Sequence, residues 1–186
     1  MGMRLALDAL RSEQAFTVIR VATPVTENRV QARALIRVAL RETLAAFLGQ
    51  SAESILLDSA WGGMHVSLSH MPGLSIAAIS SVWAVGVDLM HVGGGALEMP
   101  DWRQVAQDYL GPTVSALLQN TPAAQRPAAF AEAWTRHEAC LKCIGLPLTE
   151  WNPPLAQRLV QCHTMALALP EHCRGSIAIE AACLRN

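Results

Sequence analysis

Three short segments of the chain carry residue types that can act together on a phosphate. Val85-Gly86-Val87-Asp88 is an apolar run that ends in a carboxylate. Trp134-Thr135-Arg136-His137-Glu138-Ala139-Cys140-Leu141-Lys142 holds an acid and an ammonium one helical turn apart. Val66-Ser67-Leu68-Ser69-His70 is a loosely alternating run that ends in Ser-His. A carboxylate closing an apolar strand sits at the edge of a core, and a second carboxylate on a packed helix completes a hard oxygen site. Mg²⁺ suits such a site, since it takes one or two carboxylates, waters and substrate phosphate oxygens. The neighbouring lysine would offset charge that grows on a phosphate during transfer, and His70 would add a donor. Each residue also has a plainer reading. Asp88 alone could be an ordinary strand-end aspartate, and Glu138 with Lys142 a surface pair contributing about 0.3–0.5 kcal/mol. Lys142 is the only lysine among 14 basic residues, so a chain that otherwise uses arginine has a compact ammonium here.

The elements that must position these groups follow from periodicity. Pro24 and Thr26 open a helical pattern from Glu27 to Leu48, with apolar residues at Val30, Ala34, Ile36, Val38, Leu40, Leu44 and Phe47. Arg29, Arg33, Arg37 and Arg41 recur every fourth residue and form one ridge on it, most simply a solvated face. Met64 to Ser69 and Leu74 to Ser80 read as strands joined by a Pro72-Gly73 turn, and Ala84 to Asp88 as a third. Gly93-Gly94-Gly95 is a loop; Trp102 to Leu110 is a helix broken by Gly111-Pro112. The longest helix is expected from Ala124 or Pro127 to Ile144, stopped by Gly145, with Phe130, Trp134, His137, Leu141 and Ile144 as its buried stripe. Leu159 to Leu169 and Ser176 to Leu184 read as a closing β-hairpin.

Composition narrows the function classes. The chain has 186 residues, 52 % hydrophobic and only 16 % charged, with a formal net charge of −1. It is expected to be packed, with no basic face for nucleic acid, so any phosphate recognition is local. Arg4 and Asp8 interrupt the start too early for a secretory segment, and the apolar stretch from Leu74 to Val87 is too short to span a bilayer. A cytoplasmic protein without a membrane partner is expected. Five cysteines, an odd number, argue against a disulfide framework. Cys140 and Cys143, with Cys162, His163, His172 and Cys173, invite a zinc reading, but the first pair lies inside a helix and small buried thiols explain it better.

The order Ser-His, then Gly-Val-Asp, then Trp-x-x-x-Glu-Ala-x-x-Lys resembles the 4′-phosphopantetheinyl transferase superfamily, which includes the holo-acyl-carrier-protein synthases, and in particular its longer, monomeric branch. The likeness covers Val66 to Lys142. It implies an α+β fold of two pseudo-symmetric α/β halves, here 1–82 and 83–186, with coenzyme A at their interface. It further implies a Mg²⁺-dependent enzyme that moves 4′-phosphopantetheine from coenzyme A to a serine of an apo acyl or peptidyl carrier protein and releases 3′,5′-ADP. On the matching positions Asp88 and Glu138 would ligate the metal, and Glu138 would take the proton from the carrier serine. Lys142 would stabilise the leaving group, while Arg33, Ser69, His70 and His137 would contact the coenzyme. The arginine ridge would serve as a docking surface for an acidic carrier, whether of fatty-acid, polyketide or nonribosomal peptide synthesis. Three departures stand out. Met90 occupies the place of the family's second acid, leaving water, His91 or Glu98 to substitute; His137 replaces a lysine; and Trp61-Gly62-Gly63 replaces a Gly-Lys-Pro-like loop. They motivate an alternative, a relative that binds coenzyme A or a carrier protein without turnover.

Overall fold

The computed structural model describes residues 16–25, 29–55, 63–92 and 101–180, and the chain divides into two compact units, Met1–Val85 and Gly86–Asn186. In the first unit, strands β1 (Thr17–Ala22), β2 (His65–Met71) and β3 (Leu74–Ser80) form an antiparallel sheet in the order β1-β3-β2. Pro72-Gly73 makes the two-residue turn of the β2–β3 hairpin, and the register runs from His65 opposite Ser80 to Met71 opposite Leu74. Helix α1 (Arg29–Leu48) lies against this sheet. Its inward face is Ala32, Ile36, Ala39, Leu40, Thr43 and Leu44, which meets Ile19, Val21, Ala77 and Ile79. Each fully buried Ile or Leu of that cluster contributes about 1.5–3 kcal/mol relative to exposure. Of the apolar positions the helical pattern offered, Val30, Ala34, Val38 and Phe47 are instead exposed, as are Arg33, Arg37 and Arg41. A 3.6-residue period leaves room for one buried stripe, and the sheet takes the Ile36–Leu40–Leu44 stripe.

The second unit is built on a sheet ordered β4-β6-β5, from β4 (Val85–His91), β5 (Cys162–Ala166) and β6 (Cys173–Glu180). β5 and β6 pair antiparallel, with Cys162 opposite Glu180. Helix α4 (Arg126–Cys143) packs on β6 and β5, and Ile144-Gly145 ends it as the sequence indicates. Thr135, fully buried on α4, shares a 3.1 Å hydroxyl–hydroxyl hydrogen bond with buried Ser176 of β6, a polar pin between helix and sheet.

Two helical segments depart from expectation. Trp102 to Leu110 forms as α2 (Trp102–Val105) followed by a π-helical turn, Ala106–Leu110, and Gly111-Pro112 does not end the helical region but starts α3 (Gly111–Asn120). Pro112 suits the first turn of α3, where its missing N–H has no intrahelical partner to lose. Gly111, at φ +81°, has Trp151 packed where a Cβ would stand. The segment before β5, expected to be strand from Leu159, is not strand until Cys162. It carries α5 (Pro153–Leu159), whose N-terminus is capped by Asn152, its Oδ1 accepting from the Leu155 N–H at 2.9 Å.

Candidate active site

β4 and α4 approach so closely that only glycine fits between them. A Cβ on Gly86 would collide with the Ala139 carbonyl oxygen and stand 2.5 Å from the Cys143 nitrogen, both backbone atoms of α4. This contact brings the next inward residues of β4 alongside the last two turns of α4. Asp88, 8 % exposed, therefore faces Lys142: Nζ donates to Asp88 Oδ1 at 2.7 Å and to the Val87 carbonyl at 3.1 Å. The Lys142 side chain is 30 % exposed and that of Asp88 11 %, so the pair is largely but not wholly removed from water. Lys142 also lies in the last turn of α4, where a cation complements the helix dipole.

Glu138 stands one turn before Lys142 and is half-buried. Burial pushes its carboxyl above the usual range, the Asp88 charge pushes it further, and Lys142 pulls the other way. Two carboxylates that feel each other, with one ammonium between them, are a set of hard oxygen donors whose mutual repulsion a divalent cation would relieve. Asp88 and Glu138 fit Mg²⁺ on that ground. Among the described residues no group of three or more His, Cys, Asp or Glu is arranged to hold a metal, so further ligands would come from water and substrate.

The departure at position 90 has a physical reason. Met90 packs against a cluster of Ala106, Leu110, Leu118 and Phe130. The side chain that replaces the second acid is thus partly buried against an apolar cluster of this unit. His91 is exposed, its ring 5.4 Å from that of His172, and Glu98 lies outside the described residues.

The remaining candidates are spread over two places. His137 is only 8 % exposed and looks away from Glu138 and Lys142, into the wall of a separate cavity. Its ring hydrogen-bonds the Thr149 backbone, its Nε2 is buried without a partner, and burial pushes its pKa down, against the pull of the Thr149 hydrogen bond. In the first unit, His70 Nδ1 is 2.8 Å from Ser75 Oγ, directly opposite it across the β2–β3 pair. Ser69 is buried at 6 % exposure, and Arg33 is exposed on α1. The structure thus brings Asp88, Glu138 and Lys142 together, while Arg33, Ser69 and His70 belong to the other unit.

Sequence reasoning missed the cavity beside α4, about 430 Å³ in volume. Its wall includes Val114, Trp151 and Leu159 together with Arg136, Cys140 and Cys162. Helices α3 and α5, neither of which the sequence pattern revealed, supply part of that wall.

Residues 84–176, half of the chain, match the family model of the 4′-phosphopantetheinyl transferase superfamily. The chain belongs to this superfamily. The matched span contains Asp88, Glu138 and Lys142, so superfamily membership and the one compact acid–ammonium cluster described above fall on the same stretch. No curated protein matches the chain at a significant level. Among the described residues no helix is long and apolar enough to cross a membrane.

Proposed function

We propose that the protein transfers 4′-phosphopantetheine from coenzyme A to a serine hydroxyl of an apo acyl or peptidyl carrier protein, as a Mg²⁺-dependent holo-acyl-carrier-protein synthase. Superfamily membership supports phosphopantetheine transfer in general. The observation that carries the finer reading is the cluster of Asp88, Glu138 and Lys142, set by the Gly86 contact.

In this reading Asp88 and Glu138 would hold Mg²⁺, which would supply positive charge to the pyrophosphate of coenzyme A. Glu138, whose carboxyl burial and Asp88 push up, is a more basic acceptor for the carrier-serine proton than an ordinary surface glutamate. It takes that proton directly or through a water. The serine oxygen attacks the β-phosphorus, the bond to the 3′,5′-ADP oxygen breaks, and the Lys142 ammonium balances the charge left on the departing group. His70 and Arg33 would hold phosphates of the coenzyme, with Ser69 at the same strand end. His137, whose charged form burial disfavours, lines the cavity instead of facing Glu138. The exposed arginines Arg33, Arg37 and Arg41 would meet an acidic carrier. The two halves with coenzyme A between them, acting as a monomer, belong to the same proposal.

The placement of Met90 in an apolar cluster favours one alternative, a relative that binds coenzyme A or a carrier protein without turnover. Intact-mass analysis of apo carrier proteins incubated with the protein, coenzyme A and Mg²⁺ separates the two. Gain of one phosphopantetheine group, lost without Mg²⁺ and in Glu138→Ala, supports transfer. No gain on any carrier, with calorimetric binding of coenzyme A that is indifferent to Mg²⁺, supports the binding module.

A further inference from the structure

Helix α4 meets β5 on the side away from Glu138 and Lys142, and three thiols converge there. Cys140 and Cys143 lie a turn apart on α4, and these thiols lower the pKa of Cys162, which approaches them from β5. Its own S–H has only a long contact with the Cys140 carbonyl, 3.9 Å. All three are free thiols. Their surroundings differ in a way that sorts their roles. Cys140 and Cys143 are 6 % and 5 % exposed, whereas Cys162 is half-buried and lies with Cys140 in the wall of the 430 Å³ cavity. The Arg136 guanidinium belongs to the same wall and is exposed. A half-buried thiol in the wall of a cavity that also carries a guanidinium, beside two buried thiols that favour its ionised form, can present a thiolate to a molecule in the cavity, the condition for nucleophilic attack. No part of the proposed transfer chemistry uses these groups.

We propose that Cys162 is a thiol-modification site that reacts with small-molecule disulfides entering this cavity and is resolved by one of the two α4 thiols. In the first step Cys162 releases its proton to solvent and its sulfur attacks one sulfur of the disulfide R–S–S–R. The R–S–S–R bond breaks, a Cys162–S–S–R bond forms, and R–S⁻ leaves and is protonated. In the second step the thiol of Cys140 or Cys143 loses its proton and attacks the Cys162 sulfur, expelling the second R–S⁻. Two protein thiols are oxidised to one disulfide and R–S–S–R is reduced to two R–SH. The cavity favours a disulfide with an anionic group for Arg136 and an apolar body for Trp151 and Leu159. The resulting bond would tie α4 to β5 and hold the helix that carries Glu138 and Lys142.

The test is thiol mapping on the whole reduced protein. After brief exposure to oxidised glutathione, remaining thiols are alkylated and tryptic peptides sequenced by mass spectrometry. Trypsin cuts after Lys142 and so separates Cys140 from Cys143. Cys162 should react about tenfold or more faster than Cys173, which is 3 % exposed, and should appear first as the glutathione adduct, then linked to the Cys140 or Cys143 peptide. A Cys140→Ser, Cys143→Ser double variant should stop at the adduct, and Cys162→Ser should form neither species. Should Cys162→Ser fail to fold, the wild-type rates alone decide. Equal labelling of Cys162 and Cys173, or a disulfide that excludes Cys162, overturns the proposal. Because the readout is the thiol, its failure is distinct from any failure of carrier-protein transfer.

Discussion

Gly86→Ala tests how the site is assembled. The added Cβ would overlap the Ala139 carbonyl oxygen, stand 2.5 Å from the Cys143 nitrogen and 2.9 Å from the Ala139 carbonyl carbon. All three are backbone atoms of α4, so no side-chain rotation relieves the clash. Ordinary van der Waals separation requires α4 and β4 to part by about 1 Å or more. Overpacking of this kind costs roughly 2–3 kcal/mol, which for a chain of this size lowers Tm by about 5–10 °C. The functional cost is separate. The 2.7 Å Lys142–Asp88 contact spans the same gap, so its ends would be drawn apart while every chemical group remained. A misplacement of about 1 Å can reduce turnover by on the order of 10²-fold. Thermal melting and initial rates of carrier modification, measured by intact mass at a temperature where the variant is folded, read the two effects independently. A variant that melts with the wild type and transfers at its rate would show that the β4–α4 approach does not set the Asp88–Glu138–Lys142 geometry.

Lys142→Ala leaves the Asp88 carboxylate, 11 % exposed, without its ion-pair partner; urea unfolding should show a loss of about 2 kcal/mol along with lost transfer, and undiminished stability would mean that water replaces the ammonium. Glu138→Gln should cut transfer by roughly 10²–10⁴-fold yet raise Tm, because burial and Asp88 disfavour the ionised acid. The sign follows from linkage: a carboxyl whose folded-state pKa is raised weakens the fold at high pH, and that penalty disappears as pH falls through the folded pKa. The Tm advantage of the variant should therefore be larger at pH 8 than at pH 5, and the reverse ordering in melting scans would refute the assignment. Met90→Glu should not restore a missing ligand. It places a carboxylate beside Leu110 and Phe130, so a stability loss of about 2 kcal/mol without gain of transfer is expected, whereas faster Mg²⁺-dependent modification would show that this side chain can reach the metal.

The parts of this molecule that could be read from the sequence are those where the local pattern and the tertiary demand agree. Gly86 and Asp88 lie in an apolar strand, although it runs on to His91 instead of closing at the acid as expected; Glu138 and Lys142 sit a turn apart, and Pro72-Gly73 turns a hairpin, all from contiguous signals. What escaped depended on packing across the chain. The α1 pattern offers more apolar positions than one sheet can cover, and nothing local says that Ile36, Leu40 and Leu44 go inward while Val30, Val38 and Phe47 stay out. Gly111-Pro112 looks like a break, yet proline is equally at home in the first turn of a helix, and the pair begins one, as Pro153-Pro154 does in α5. The role of Met90 was hidden for the same reason, since its partners come from 106 to 130 along the chain.

Helix α4 brings these observations into one argument. Successive residues turn about 100° around its axis, so three faces serve three neighbours. Thr135, Ala139 and Cys143 meet the sheet and the β4 backbone; Glu138 and Lys142 form the acid–ammonium face; Ala133, Arg136, His137 and Cys140 border the cavity. A change on any face moves the other two, because a helix shifts as a rigid piece. This makes the single lysine of the chain doubly constrained. Its ammonium pairs with a buried carboxylate in the free protein, and the same charge acts on Glu138, where a substrate phosphate would arrive. Arginine at 142 would keep the charge, but its planar fork cannot stand in for a compact ammonium that meets both the Val87 carbonyl and Asp88. Lys142→Arg should accordingly retain more of the stability than of the transfer rate. Equal loss of both would indicate that the ion pair, rather than the charge offered to the substrate, is all that position 142 provides.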